Sequence, residues 1–259
     1  MNVEVVALQL AARPGEPDRN RARLAAAIRS LDRGPDLIVG PELLNSGYDL
    51  ERIDGRGREL GESLEGPTVE LAAALAAETG ATLVIGILER DGETLYDSAV
   101  VVRPDGVLGR YRKTHLYPAE RTRFAAGDHL TTIPTPAGRL GPMVCFDHAF
   151  PEIATALALA EAQILVIPSA VPFGHEDLLS LRTRARAQDN QVFAVAANLA
   201  GGEFCGRSLI AGPRGEVLAT AGVEEGAIRA SLDLRAIERE RRREPALGLR
   251  RPELYAPEK

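Results

Sequence analysis

The 259-residue chain carries 31 Lys and Arg against 37 Asp and Glu, a formal charge of -6, and 45% hydrophobic residues. That balance allows a sizeable core and leaves no basic surface to neutralise phosphates, so no nucleic acid is expected as partner. No stretch approaches the roughly 18 uninterrupted apolar residues of a membrane span, and the start has no basic-then-apolar signal order; a cytoplasmic protein without membrane contact is expected.

In chain order, residues 3 to 11 (VEVVALQLA) read as a strand, 18 to 32 as a helix with apolar spacing at Leu24, Ala27, Ile28 and Leu31, and 36 to 40 (DLIVG) as a short buried strand. A loop through Asn45, Gly47 and Gly55 leads to a helix from about Thr68 to Glu78 and a strand at 81 to 88 (ATLVIGIL). Residues 97 to 111 read as strand, turn and strand around PDG, and 207 to 219 repeat that grammar around GPRG. Between the hairpins, GPMVCF, PEIATALALAEA and QILVIPSA read as strand, helix and strand, followed by a helix near 176 to 190 and the strand VFAVAAN. The expectation is a mixed α/β fold with helices on the sheet faces. With no linker-like run, low-complexity segment or short repeat, residues 1 to 259 are read as a single domain. Residues 233 to 259 form a C-terminal helix and a tail too poor in apolar residues to make its own core, which either frays or lies on another surface.

Two cysteines, Cys145 and Cys205, suit neither a disulfide framework nor a metal knuckle, leaving thiol chemistry or burial. Cys145 closes a strand-like run and precedes FDHAFPE, where Pro151 suits a first helical turn and Glu152 its positive end. A thiol at such a strand-to-helix turn stands at the carboxyl edge of a sheet, where sites form and an anion is stabilised. Glu42 follows DLIVG and Pro41 and so reaches a similar edge; a desolvated Glu there can serve as general base for a thiol. Lys113 ends VLGRYRK, flanked by Tyr111 and His115, where a fixed ammonium would stabilise an oxyanion, and Glu120 lies seven residues on. On position alone each of the four also has an ordinary reading, as core thiol, loop cap, strand-end cation and surface carboxylate.

The segments PELLNSGY, RYRKTHLYPAE and GPMVCFDHAFPE resemble, in order and separation, the three signature segments of the nitrilase superfamily of carbon-nitrogen hydrolases. RTRARAQDNQVFAVAAN, FCGRSLIAGPRGEVLA and the terminal RRPELY extend the likeness over nearly the whole chain. The resemblance implies an α/β four-layer α-β-β-α sandwich with mixed parallel and antiparallel sheets, and a homodimer or higher homo-oligomer pairing through helices and tails. It also implies a Glu–Lys–Cys triad extended by a second Glu, here Glu42, Lys113, Cys145 and Glu120, although YPAERTRF around Glu120 departs in detail from the family.

Phe146, after the candidate nucleophile, and the absence of any Trp point to the amidase-like branch rather than to nitrilases. The implied reaction is hydrolysis of a small carboxamide to acid and ammonia through a thioester; the alternatives are an N-carbamoyl amide hydrolase, acyl transfer to an amine, and a non-catalytic scaffold on this fold. Tyr48, Phe146, Pro172 and Phe173 are expected to form the acyl pocket, with His148 as a further lining candidate. No cofactor or metal is expected: His115, His129, His148 and His175 are dispersed and show no HExxH-like spacing. Cys205 is read as packing.

Overall fold

The computed structural model describes residues 2–32 and 34–255. The first half runs β1 (Asn2–Gln9), α1 (Pro17–Arg29), β2 (Leu37–Val39), α2 (Leu50–Leu60), α3 (Pro67–Thr79), β3 (Thr82–Asp91), β4 (Thr94–Arg103) and β5 (Gly106–Arg112). The second runs β6 (Ile133–Thr135), β7 (Gly138–Pro142), α4 (Pro151–Leu159), β8 (Ile164–Ser169), α5 (Glu176–Asn190), β9 (Phe193–Asn198), β10 (Ala200–Gly201), β11 (Phe204–Cys205), β12 (Leu209–Ala211) and β13 (Val217–Thr220). The chain then returns to the first half with β14 (Gly226–Asp233) and leaves it with α6 (Arg235–Arg243).

Two six-stranded sheets result, ordered β14-β1-β2-β3-β4-β5 and β13-β12-β9-β8-β7-β6. Strand alternation explains how they stack. Val3, Val5 and Ala7 of β1, Leu37 and Val39 of β2, and Ala99 and Val101 of β4 pack against Ile164 and Val166 of β8 and Val195 and Ala197 of β9, filling the space between the sheets. The alternate residues of the first sheet, among them Val6, Leu8, Ile38 and Val100, meet Leu24, Ile28, Ala72 and Leu75 of α1 and α3. On the far side Leu165, Ile167, Ala194 and Ala196 meet Ile153 and Leu157 of α4 and Leu179 of α5. This is the α-β-β-α sandwich. No helix among the described residues is long and apolar enough to cross a membrane.

Three local readings are corrected. Residues 50 to 60, expected as loop, form α2: Asp49 caps Arg52 N, and Gly57 is needed because Leu95 lies 2.6 Å from where its Cβ would sit, so the helix-weakening glycine is a packing choice. The strand expected at GPMVC ends at Pro142, and Cys145 instead opens a 3-10 turn, Cys145–Ala149. β14 was not anticipated; its residues are largely half-exposed, and its pairing with β1, Val5 opposite Ala230, is a long-range contact that its own composition does not announce.

Candidate active site

The carboxyl ends of the parallel strands of both sheets converge on one point. After β2 the chain turns through Gly40 and Pro41 to deliver Glu42, fully buried. The turn is tight: Leu43 has φ +44°, and Gly86 of β3 lies so close that a Cβ there would stand 2.5 Å from Pro41 O and 2.6 Å from Glu42 Cα. From the other sheet, Ser169 at the end of β8 accepts the Glu42 backbone N–H at 3.4 Å.

Lys113, immediately after β5, is 1% exposed, and its ammonium donates to Glu42 Oε1 at 2.6 Å, to Glu120 Oε1 at 2.8 Å and to Asp97 Oδ2 at 3.1 Å. Glu42, Asp97 and Glu120 present oxygens within 4.8 Å of one another, a spacing that could hold a metal ion, but the Lys113 ammonium already donates to all three. Glu120 is further held by Tyr48, whose hydroxyl donates to Oε1 at 2.7 Å, and by the Tyr117 N–H, which donates to Oε2 at 2.7 Å. Burial drives the Glu42 carboxyl well above its ordinary range; Lys113 opposes this, and the charges of Asp97 and Glu120 add to it. The Lys113 ammonium is held well above its ordinary range: burial works against its charge, and the surrounding carboxylates outweigh that.

Cys145 adopts φ +40°, a left-handed conformation costly for a residue with a Cβ, so the turn must be held from outside. Asp147 does this. Its Oδ2 accepts from Val144 N at 2.9 Å and from the Tyr111 hydroxyl at 2.8 Å, and its Oδ1 accepts from His115 N at 3.0 Å. The thiol's turn and the loop carrying Lys113 are thereby tied to one buried carboxylate. Burial, and then the charge of Glu42, push the Cys145 thiol well above its usual range, with Lys113 pulling the other way. On balance these surroundings favour the thiol over the thiolate. Cys205 is different: it is buried on β11 beside Asn198, whose amide donates to its sulfur at 3.4 Å, and its thiol is pushed up to about 11.

Cys145, Lys113 and Glu120 open onto a cavity of about 340 Å³. Of the residues expected to line it, Tyr48, Phe146, His148 and Pro172 do. Phe173 does not: it stands 52% exposed outside the lining, and the aromatic wall is made instead by Tyr117 and by Phe204, which meets Tyr48 edge-on at 6.0 Å. His148 is buried, and desolvation followed by the charges of Arg182 and Arg186 lowers it to about 3, so it is neutral. Arg182, from α5, reaches His148 Nε2 at 3.4 Å at the cavity wall and has no carboxylate within ion-pair distance among the described residues.

Sequence reading missed Asp97, Arg182 and Phe204. For Asp97 a signal existed: strand alternation through LYDSAVVV places it on the same face as Ala99 and Val101, and a charged side chain on an inward face needs a partner. For Arg182, one of several arginines along α5, no local signal separates the side chain at the cavity from those in solvent.

Residues 4–242 match the family description Carbon-nitrogen hydrolase. The chain is 35% identical to a nitrilase of Pyrococcus abyssi over 92% of its own length and 93% of that protein's. It is 34% identical to an (R)-stereoselective amidase of Pseudomonas sp. (93% and 88% covered) and 32% identical to a human omega-amidase (92% of each). Among solved structures, the amidase from Nesterenkonia sp. AN1 superposes with a TM-score of 0.86 at 27% identity over 98% of both chains, in a form whose active-site cysteine has undergone Michael addition to acrylamide. A carbon-nitrogen hydrolase superfamily protein of Xanthomonas campestris superposes with a TM-score of 0.88 at 25% identity over 95% and 96% of the two chains. The chain belongs to the carbon-nitrogen hydrolase family. It is an amidase-like hydrolase acting on carbon–nitrogen bonds.

Proposed function

We propose that the enzyme hydrolyses a small carboxamide to a carboxylic acid and ammonia through a thioester on Cys145. The observation that carries this reading is the Lys113 ammonium, fixed between Glu42 and Glu120 beside a strained Cys145 in one cavity. An amide resists attack because its carbonyl is resonance-stabilised and its amine leaves poorly, so the site must activate the thiol, hold the oxyanion and protonate nitrogen. Glu42, made more basic than a surface carboxylate by burial, takes the thiol proton and returns it to the departing nitrogen. The backbone N–H of Phe146, second residue of the turn, donates to the oxyanion, and the fixed positive charge of Lys113 beside it stabilises the same charge. Water activated by the same Glu42 then releases the acid. Glu120 faces the substrate nitrogen and holds Lys113 in place.

A cavity of about 340 Å³ lies at the small end of ligand sites, which favours a short acyl group. Its wall carries Arg182, which has no ion-pair partner among the described residues, so an acyl chain ending in a carboxylate gains a charge-assisted contact that a neutral one lacks. The tail fits assembly with a second copy, because Leu249, Leu254 and Tyr255 are left 60% or more exposed. The reading is tested by ammonia release across short aliphatic amides, ω-amides, nitriles and N-carbamoyl amino acids, with Cys145→Ala as control. Release from amides, lost in the variant, is expected. Release from nitriles or N-carbamoyl compounds alone would redirect the assignment, and none from any substrate by folded enzyme would end it.

A further inference from the structure

Taking Glu42 as the base, as above, we propose that Glu42 and Asp97 hold a single proton between them, which makes Asp97 the positioning residue that sets when Glu42 is free to accept the thiol proton. Three carboxylates, Glu42, Asp97 and Glu120, surround one ammonium, and none of the four side chains is more than 1% exposed. All three donors of Lys113 are spent, one on each carboxylate. Both Glu120 oxygens have donors, since Tyr48 and Lys113 donate to Oε1 and the Tyr117 N–H donates to Oε2. What remains are Glu42 Oε2 and Asp97 Oδ1, both buried and both without a hydrogen-bond partner among the described residues.

Glu42 and Asp97 present oxygens within 4.8 Å of one another, and unpaired anionic oxygens that close in a buried site are what carboxylates avoid, whether by pairing or by taking up a proton. One proton answers both at once: the protonated carboxyl donates and its neighbour accepts. It also removes one of two uncompensated negative charges. The other titratable groups facing the pair are Lys113, Glu120, Tyr48 and Cys145. Glu89, with Arg110 and Arg112, lies on the opposite face of β4, where Ser98 binds it. None of these supplies a donor to the two bare oxygens.

In the attack the S–H bond of Cys145 breaks and an O–H bond forms on Glu42 while the shared proton stays on Asp97. When the tetrahedral species collapses, the Glu42 proton passes to the leaving nitrogen and the shared proton again bridges the pair. Proton number is conserved through the cycle.

The test is infrared spectroscopy of the full-length enzyme at neutral pH, reading the carbonyl stretch of protonated carboxyl groups and its shift in deuterium oxide. A band present in wild type and lost in both Glu42→Gln and Asp97→Asn is expected; either substitution alone removes it, so one folded variant suffices. A band from any other carboxyl, Asp147 included, would survive both. A merely structural Asp97 would lower the rate and leave no such band to lose. Absence of a band lost on substitution overturns the proposal. Because the band is read without turnover, a band with no amide hydrolysis would sink the amidase reading alone, and hydrolysis without the band would sink only the shared proton.

Discussion

Read from β5 to β14 and from β13 to β6, the two sheets repeat one pairing pattern: antiparallel, antiparallel, parallel, parallel, antiparallel. Yet the halves bring different things to the site. Every charge on its floor comes from the first: Glu42 after β2, Asp97 on β4, Lys113 after β5 and Glu120 just beyond. The second half supplies the thiol after β7 and, after β8, where the first half has Glu42, the apolar wall of Ala170, Val171 and Pro172. One frame thus offers the same strand ends twice, and side-chain choice puts charged groups at one set and the thiol and apolar groups at the other. Substitutions in the first half should therefore change rates and pH dependence, and those in the second should change covalent capture and selectivity.

The largest expected effect is Cys145→Ala, which should cut amide hydrolysis about 10⁴-fold or more with the fold intact, whereas Cys205→Ser, on the same half, should stay within about threefold of wild type. Steady-state kinetics beside thermal melting checks both. Glu42→Gln comes next, with a loss of about 10³-fold. Its pH signature has a definite sign: thiol activation needs the Glu42 carboxylate, so wild-type alkylation should climb as pH rises through a value above that of an ordinary carboxylate, and the variant should lose that limb. Lys113→Met leaves three buried carboxylates without their cation; a loss of about 10²-fold in kcat/KM and of about 3 kcal/mol or more in stability is expected, read by kinetics and by chemical denaturation. Gly86→Ala drives a Cβ into Pro41 O and Glu42 Cα, and should lower kcat by about tenfold or more with little change in KM. The smallest effect is reserved for the second half's wall: Arg182→Gln should raise KM about tenfold for amides whose acyl chain ends in a carboxylate, and far less for neutral ones.

The same division decides what the sequence could reveal. Glu42, Lys113 and Cys145 sit where strands end within long motif-bearing segments, so backbone periodicity and resemblance together place them. The alternation of β1, β3 and β8 likewise made the layers legible. Asp97 was readable in principle and overlooked, because in LYDSAVVV a single Asp looks like a turn-side residue of a hairpin until its inward face is traced. Arg182, Phe204 and the outward placing of Phe173 depend on how α5 and the short β10–β11 hairpin fold over the cavity, which no local pattern encodes. The α2 helix and β14 were hidden for a related reason: one is stabilised by Leu95 packing on Gly57 and on the capping Gly61, the other by pairing with β1 across nearly the whole chain.

Acid quench during turnover of a short amide, followed by proteolysis and mass spectrometry, asks directly whether carbon–nitrogen cleavage passes through an acyl group on Cys145. An acyl-sized increment on the peptide containing Cys145, removed by hydroxylamine and absent from Cys145→Ala, is expected. An adduct on Cys205, or sustained turnover by Cys145→Ala, would rule that route out.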